Sequence, residues 1–406
     1  MVIRITTPLA MALVVVTTLI LYAIFWHLPL DALGALQTPF QDERYSDPNF
    51  YLYAAAGLCK QATWSVEDLA VTWSSAGVVG FLALGCQFTG SEYFYVIANP
   101  LLIAASLAVF LHIAGLLGIR ANIGVGSILA LPYTWLTLSL PGKEIISLCG
   151  AVLVASGLLL ATAGQRRWRA GLMIILGLVI VAVSRAHEAA AIAIFVVLWL
   201  SRSLFSVWRL LAILMLIAQV APWLLAHLQL DTIADSLTDE ALWSGSSEGK
   251  AQDYDALFDL LRSDNLIVHA LLGFIRVLVI IAAPIASIVA PWTDADFNYF
   301  IFRDISQRLR VIDVAFILYT FTCLARTVPG NDNLDLTRER RMKWLLPAFF
   351  IFMAYVIVFF GVSQKSRYIF QYTPLLLLWR WIFNSSPSMP EHQVSGPVPR
   401  TPQSAN

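Results

Sequence analysis

Arg185, His187 and Glu188 sit within a single helical turn's worth of residues, inside sequence that is otherwise apolar. A guanidinium can clamp phosphate oxygens in pairs, and an imidazole or a carboxylate can take up or deliver a hydroxyl proton. The apolar runs on either side, 172–184 and 189–200, hold roughly 13 and 12 residues, and at about 1.5 Å per residue neither alone covers a hydrocarbon core of about 30 Å. Two arrangements follow: one long helix carrying three ionisable groups at its middle, or two short helices meeting at a polar turn. In both, charge lies below the lipid surface, where it persists only when it faces a protein interior or an aqueous cavity.

Further candidates are spread along the chain. Asp42, Glu43 and Arg44 follow the first apolar run; Lys143 and Glu144 follow a Pro-Gly turn; Arg276 interrupts an apolar stretch; Lys365, Arg367 and Tyr368 precede the last one. Asp42 or Glu43 is the expected general base, with Glu144 and His187 as the other catalytic candidates. Arg44, Lys143, Arg185, Glu188, Arg276, Lys365, Arg367 and Tyr368 are the expected substrate-binding set. Arg185 and Arg367 are the better phosphate clamps because a guanidinium fork pairs bidentately. Convergence of these acids and bases at one end is what an anionic lipid-linked substrate requires. Each group also has a plainer reading. Residues 42–47 read equally as a solvated turn, Glu144 as a carboxylate favoured by a helix N-terminus, and Arg367 as a side chain reaching for the interface. His112, His227 and His269 lack metal-ligand spacing, and no phosphate-loop, dinucleotide, zinc-hydrolase or serine-hydrolase motif occurs. No cofactor or metal site is expected; whether a divalent cation accompanies the substrate is left open.

The elements that must position these groups follow from hydropathy and from basic loops, which mark the cytoplasmic side. Arg4 places the N-terminus inside, and 9–26 reads as a retained first helix because it lacks a small-residue cleavage site. The loop 27–72 is then external. Apolar runs at 76–88, 93–117, 123–140 and 145–163 lead to Arg166, Arg167 and Arg169, which should be cytoplasmic. The parity requires that 76–88 not cross. Loop 229–264, with nine acidic and two basic residues, suits the outside. The run 266–290, broken by Arg276 and Pro284, should re-enter so that the cluster 338–343 is cytoplasmic. Runs at 311–325, 344–362 and 369–383 complete an all-α polytopic transmembrane bundle of about 9 to 11 membrane segments, including broken or re-entrant helices. Residues 1–384 form the integral membrane domain, and 385–406, rich in Pro, Ser and Gln, read as a disordered cytoplasmic tail.

Composition agrees. With 59% hydrophobic and 13% charged residues, the chain carries too little polar surface for a soluble protein of 406 residues. A formal net charge of zero provides no basic stripe for nucleic acid. Cys59, Cys86, Cys149 and Cys323 are scattered without a CxxC and read as small hydrophobes, neither a metal site nor a disulfide frame.

Three short motifs carry a resemblance. Asp42-Glu43-Arg44-Tyr45 with Asp47 and Tyr51, Pro141-Gly142-Lys143-Glu144, and Ser366-Arg367-Tyr368 with Pro374 together resemble bacterial polysaccharide repeat-unit polymerases of the Wzy and EpsG type. They are also similar to the GT-C superfamily of membrane glycosyltransferases. The resemblance implies a polyprenyl-linked saccharide substrate at the outer face of the bacterial cytoplasmic membrane, membrane lipids and other polysaccharide-assembly proteins as partners, and Asp42 or Glu43 as catalytic acid. The short tail favours the polymerase branch over a GT-C enzyme adding a single sugar. A transporter or flippase of lipid-linked sugars would need the same charged cavity, although the two halves show no internal repeat. A purely structural membrane subunit is disfavoured by Arg185.

Overall fold

The structure is a computed structural model that describes residues 4–27, 47–61, 76–91, 93–201, 298–327, 338–359 and 367–383, with short helical pieces between 272 and 285. These residues are mostly helical. Helices α1 (Thr7–His27), α2 (Asp47–Cys59), α3 (Ala76–Thr89) and α4 (Tyr95–Leu116) are followed by two short ones, α5 (Val125–Leu129) and α6 (Pro132–Ser139). Then come α7 (Lys143–Thr162), α8 (Arg167–Ala182), α9 (Ala186–Leu200), α10 (Asn298–Thr327), α11 (Arg338–Phe359), α12 (Arg367–Phe370) and α13 (Thr373–Phe383). Among the described residues, three helices are long and apolar enough to cross a membrane: α1, α4 and α7. The apolar window of α7 is 72% buried, against 22% for α1, so α7 is the central post and α1 a peripheral one.

The helices run back and forth between two ends. At one end the Tyr22 and Tyr95 hydroxyls meet at 3.1 Å, joining the C-terminus of α1 to the N-terminus of α4. At the other, strand β1 (Arg4–Ile5) pairs antiparallel with β2 (Ile123–Gly124), Arg4 opposite Gly124. This two-residue ladder is the one departure from an all-α chain among the described residues. The same end holds the indole of Trp199, donating to Thr162 Oγ1, and Arg341, donating to the Trp199 carbonyl. Trp379 and Trp381 donate there to the Lys343 carbonyl and Ser127 Oγ.

Glycine brings α7 and α8 together. A Cβ on Gly177 would lie 2.5 Å from the Gly150 carbonyl oxygen, and one on Gly157 would lie 2.7 Å from that of Ala170. Small residues facing each other let two apolar helices approach backbone to backbone, the packing that works where no hydrophobic effect separates helix from solvent. The close pairing sets the start of α7 beside the end of α8.

Three features differ from the sequence expectations. The run 123–140 is not one helix; it breaks between α5 and α6 because Pro132 lacks an N–H and pushes Leu131 out of helical geometry, at φ −126° and ψ 47°. The run 369–383 likewise breaks at Gln371 and Tyr372, between α12 and α13. Cys59 and Cys86, read from the sequence as small hydrophobes, form a disulfide linking α2 to α3. The pairing was illegible because 27 residues separate the two and no spacing motif marks them. Closing a loop of that length stabilises by about 3 to 4 kcal/mol in the chain-entropy view.

Helix α3 has 14 residues, about 21 Å at 1.5 Å per residue, too short to cross a core of about 30 Å. Its first turn meets Val183 and its flank meets Phe94, so its contacts lie at the Tyr22–Tyr95 end. The stretches 28–46 and 202–271, which carry the expected external loops, and the tail after 383 lie outside the described residues.

Candidate functional site

Residues 172–200 adopt the second of the two arrangements open from sequence: α8 ends at Ala182, α9 begins at Ala186, and Arg185 is the residue that caps α9. The Arg185 amide donates back to the Val181 carbonyl at 2.7 Å, closing the turn. Glu188 then stands in the first turn of α9, and Glu144 in the first turn of α7. Both carboxylates are placed where a helix dipole favours negative charge. Asn99 holds the approach to α7: its Nδ2 donates to the Ser139 and Leu140 carbonyls at 3.2 and 2.9 Å, satisfying the end of α6 just before the Pro141-Gly142 turn. Gly142 leaves room there for the Glu144 carboxylate, whose Oε2 lies where a Cβ would stand.

Arg185 bridges the two helix starts. Its Nη1 donates to Glu188 Oε1 at 2.6 Å and its Nη2 to Glu144 Oε1 at 3.0 Å. Its guanidinium carbon lies 3.8 Å from the ring centroid of Tyr368, which opens the segment after 366. Glu188 is held further by Tyr372, whose hydroxyl donates to Oε2 at 2.7 Å, and by Gln371 Nε2, at 3.2 Å from both oxygens. The charged members are buried: Arg185 is 5% exposed, Glu188 2% and Glu144 6%. Lys143, also buried, lies 5.7 Å over the Tyr51 ring. Counting formal charges, two cations face two anions, the balance that burial demands.

The cluster therefore unites Lys143, Glu144, Arg185, Glu188 and Tyr368 from three separate parts of the chain. His187 is exposed on the first turn of α9, while its neighbour Glu188 is the buried member. Arg185 is not an open phosphate clamp; two carboxylates and an aromatic face engage it. Arg276 is buried on the helical segment where Gly273 packs against Tyr355 of α11. Arg367 begins α12, but its side chain, with Asp42, Glu43, Arg44 and Lys365, lies outside the described residues.

Gln371 and Tyr372 were missed from sequence, where attention fell on Tyr368 and Pro374. The available signal was a polar pair inside an apolar run, at the point where the helix breaks. Among the described residues, Gln371 Oε1, Ser147 Oγ and Thr373 Oγ1 are buried polar atoms that accept or donate no hydrogen bond. A third such residue is Asp313, within the apolar run 311–325. Its carboxylate accepts from the Tyr133 and Thr134 amides at 3.1 and 2.9 Å and from Thr134 Oγ1 at 2.5 Å. It thus caps the interior N-terminus of α6 with a side chain from α10. Arg310, one turn earlier, donates to the Tyr133 hydroxyl at 2.7 Å. The Tyr133 ring meets Phe370 at 5.4 Å, which joins this support to the Gln371–Tyr372 break.

No group of three or more His, Cys, Asp or Glu side chains among the described residues is placed to hold a metal ion. No protein-family model, characterised protein or solved structure matches the chain.

Proposed function

We propose that this chain is a multi-pass membrane glycosyltransferase that lengthens polyprenyl-(di)phosphate-linked saccharides at the external face of the bacterial cytoplasmic membrane, in cell-envelope polysaccharide synthesis. The observation that carries the reading is the Glu144–Arg185–Glu188 cluster at the junction of helix ends. Buried charge in an apolar helix array costs several kcal/mol unless a built site retains it. Glu144 is the candidate base, with one oxygen tied to Arg185 and the other beside Gly142. Arg185 sets its position. The buried acceptors and hydroxyls of Gln371, Ser147 and Thr373 suit a ligand rich in hydroxyl groups, as a saccharide is. Asp42 and Glu43, on the segment preceding α2, are the expected partners in proton transfer.

The sidedness has its own support. The Cys59–Cys86 disulfide joins two helices that touch the turns next to the cluster, at Lys143 and Val183, and disulfides persist in oxidising compartments. The opposite end gathers Arg4, Arg166, Arg167, Arg169, Arg341 and Lys343, the bias of a cytoplasmic face.

The broken helix α5–α6 favours one second reading, a transporter of lipid-linked saccharides, since interrupted helices line transport sites. One experiment separates the two. Purified protein in proteoliposomes is given a polyprenyl diphosphate oligosaccharide, and both product length and translocation are followed. Lengthening that falls on the order of 10²- to 10⁴-fold in Glu144→Gln or Glu43→Gln supports the enzyme. Translocation without lengthening by the wild-type chain replaces it with the transporter.

A further inference from the structure

Helices α2 and α3 stand apart from the rest of the packing. Tyr22, Tyr51, Ala55, Leu58, Val78, Val79, Leu82, Ala83 and Tyr95 form a small apolar cluster of their own, and the partly buried Ile146, two residues after Glu144, packs against both this cluster and the main core. The pair rests on the charged site at two points. Near the start of α2, the Tyr51 ring receives Lys143, the neighbour of Glu144. Near the start of α3, the Gly77 amide donates to the Val183 carbonyl at 2.8 Å, two residues before Arg185. Gly77 has to be glycine at that approach, since a Cβ would lie 2.5 Å from the same carbonyl oxygen.

The far ends of the two helices are joined covalently by Cys59–Cys86, and Gln87 Nε2 adds hydrogen bonds to the Leu58 and Gln61 carbonyls beside it. We propose that α2 and α3 are a disulfide-locked cap with two feet, Tyr51 and Gly77, which hold the Lys143–Glu144 and Val183–Arg185 turns against each other, so that reduction of Cys59–Cys86 loosens the charged site without unfolding the helices beneath it. Tyr51 and Gly77 are positioning residues in this scheme. The cap is built the same way whether the site elongates saccharides, transports them or does neither.

The mechanical logic is that of a two-legged clamp. Each foot is a small area of contact, with a cation–π pair at Tyr51 and a backbone hydrogen bond at Gly77. The staple makes the two legs one body, so losing either foot requires the whole pair to move. Without the staple each helix is short, 13 and 14 residues, and is held by the small cluster and its own foot. Short elements with few buried partners are the first to open locally.

Hydrogen exchange followed by mass spectrometry tests this on the full chain in nanodiscs. On reduction, confirmed by mass, amides in 76–89 and 183–188 should exchange at least about ten-fold faster, while those in 148–162 and 170–181 keep their rates, and re-oxidation should restore protection. Cys59→Ser/Cys86→Ser should reproduce the reduced pattern, and Gly77→Ala should produce it at 183–188 with the disulfide intact. If the double variant fails to accumulate, reduction of wild-type protein gives the same measurement. Rates at 183–188 that stay within about two-fold on reduction overturn the proposal, as does uniform acceleration along the chain, which would make the disulfide a general staple.

Discussion

Arg185 Nη2 lies 3.0 Å from Glu144 Oε1 although 41 residues separate them, and the contact exists because glycines let α7 and α8 pack backbone to backbone. The pair is buried, so its two halves are unequal in what their loss does. Removing Arg185 takes away the cation that both carboxylates engage; removing one carboxylate by amide substitution leaves a hydrogen-bond acceptor in place.

The first prediction follows from that asymmetry. Arg185→Ala should destabilise by about 3 to 5 kcal/mol, and Glu144→Gln by clearly less. The triple substitution Arg185→Met, Glu144→Gln, Glu188→Gln removes the three ion-paired charges together, leaving Lys143, and should regain part of the loss. Thermal unfolding in detergent measures all three. A triple variant that is stable and fails to lengthen saccharide would assign the charges to chemistry and not to folding. One that is as unstable as Arg185→Ala would make them structural.

Asp313 supplies the second. Its carboxylate satisfies two amides of α6 that have no carbonyl of their own helix to reach. Asp313→Ala should cost about 1 to 3 kcal/mol for each buried N–H left without an acceptor, while Asp313→Asn keeps one acceptor oxygen and should lose roughly half as much. Because the Tyr133 ring abuts Phe370, exchange protection at Gln371 and Tyr372 should fall with it. Wild-type stability in Asp313→Ala would mean that another group caps α6.

The third concerns sidedness. In a Cys149→Ala/Cys323→Ala background, an impermeant maleimide applied to intact cells should label Ser246→Cys in the acidic loop and spare Trp168→Cys. Trp168 is 69% exposed at the end of the helix array that also holds Arg166, Arg167 and Arg169, so disruption of the cells should make it reactive. The opposite pattern inverts the orientation and moves the charged site to the cytoplasmic side.

The sequence by itself determined the helical class, the three helices apolar enough to cross a membrane, and that Arg185 and Glu188 could not lie in lipid. Those conclusions rest on composition and on the cost of burying charge, which are properties of a segment and its solvent. It also pointed to Lys143, Glu144 and Tyr368, since polar residues at the edge of an apolar run are visible one segment at a time. Only the tertiary structure decided which partner each charge takes. That Arg185 is shared by Glu144 and Glu188, that Gln371 and Tyr372 complete the shell, that Asp313 caps a helix 179 residues away in sequence, and that Cys59 finds Cys86 all depend on side chains brought together by packing. Apart from the i,i+3 spacing of Arg185 and Glu188, nothing local encodes these pairings. Hydropathy reports whether a residue is buried, whereas a hydrogen bond or ion pair depends on distances set by how closely helices such as α7 and α8 approach.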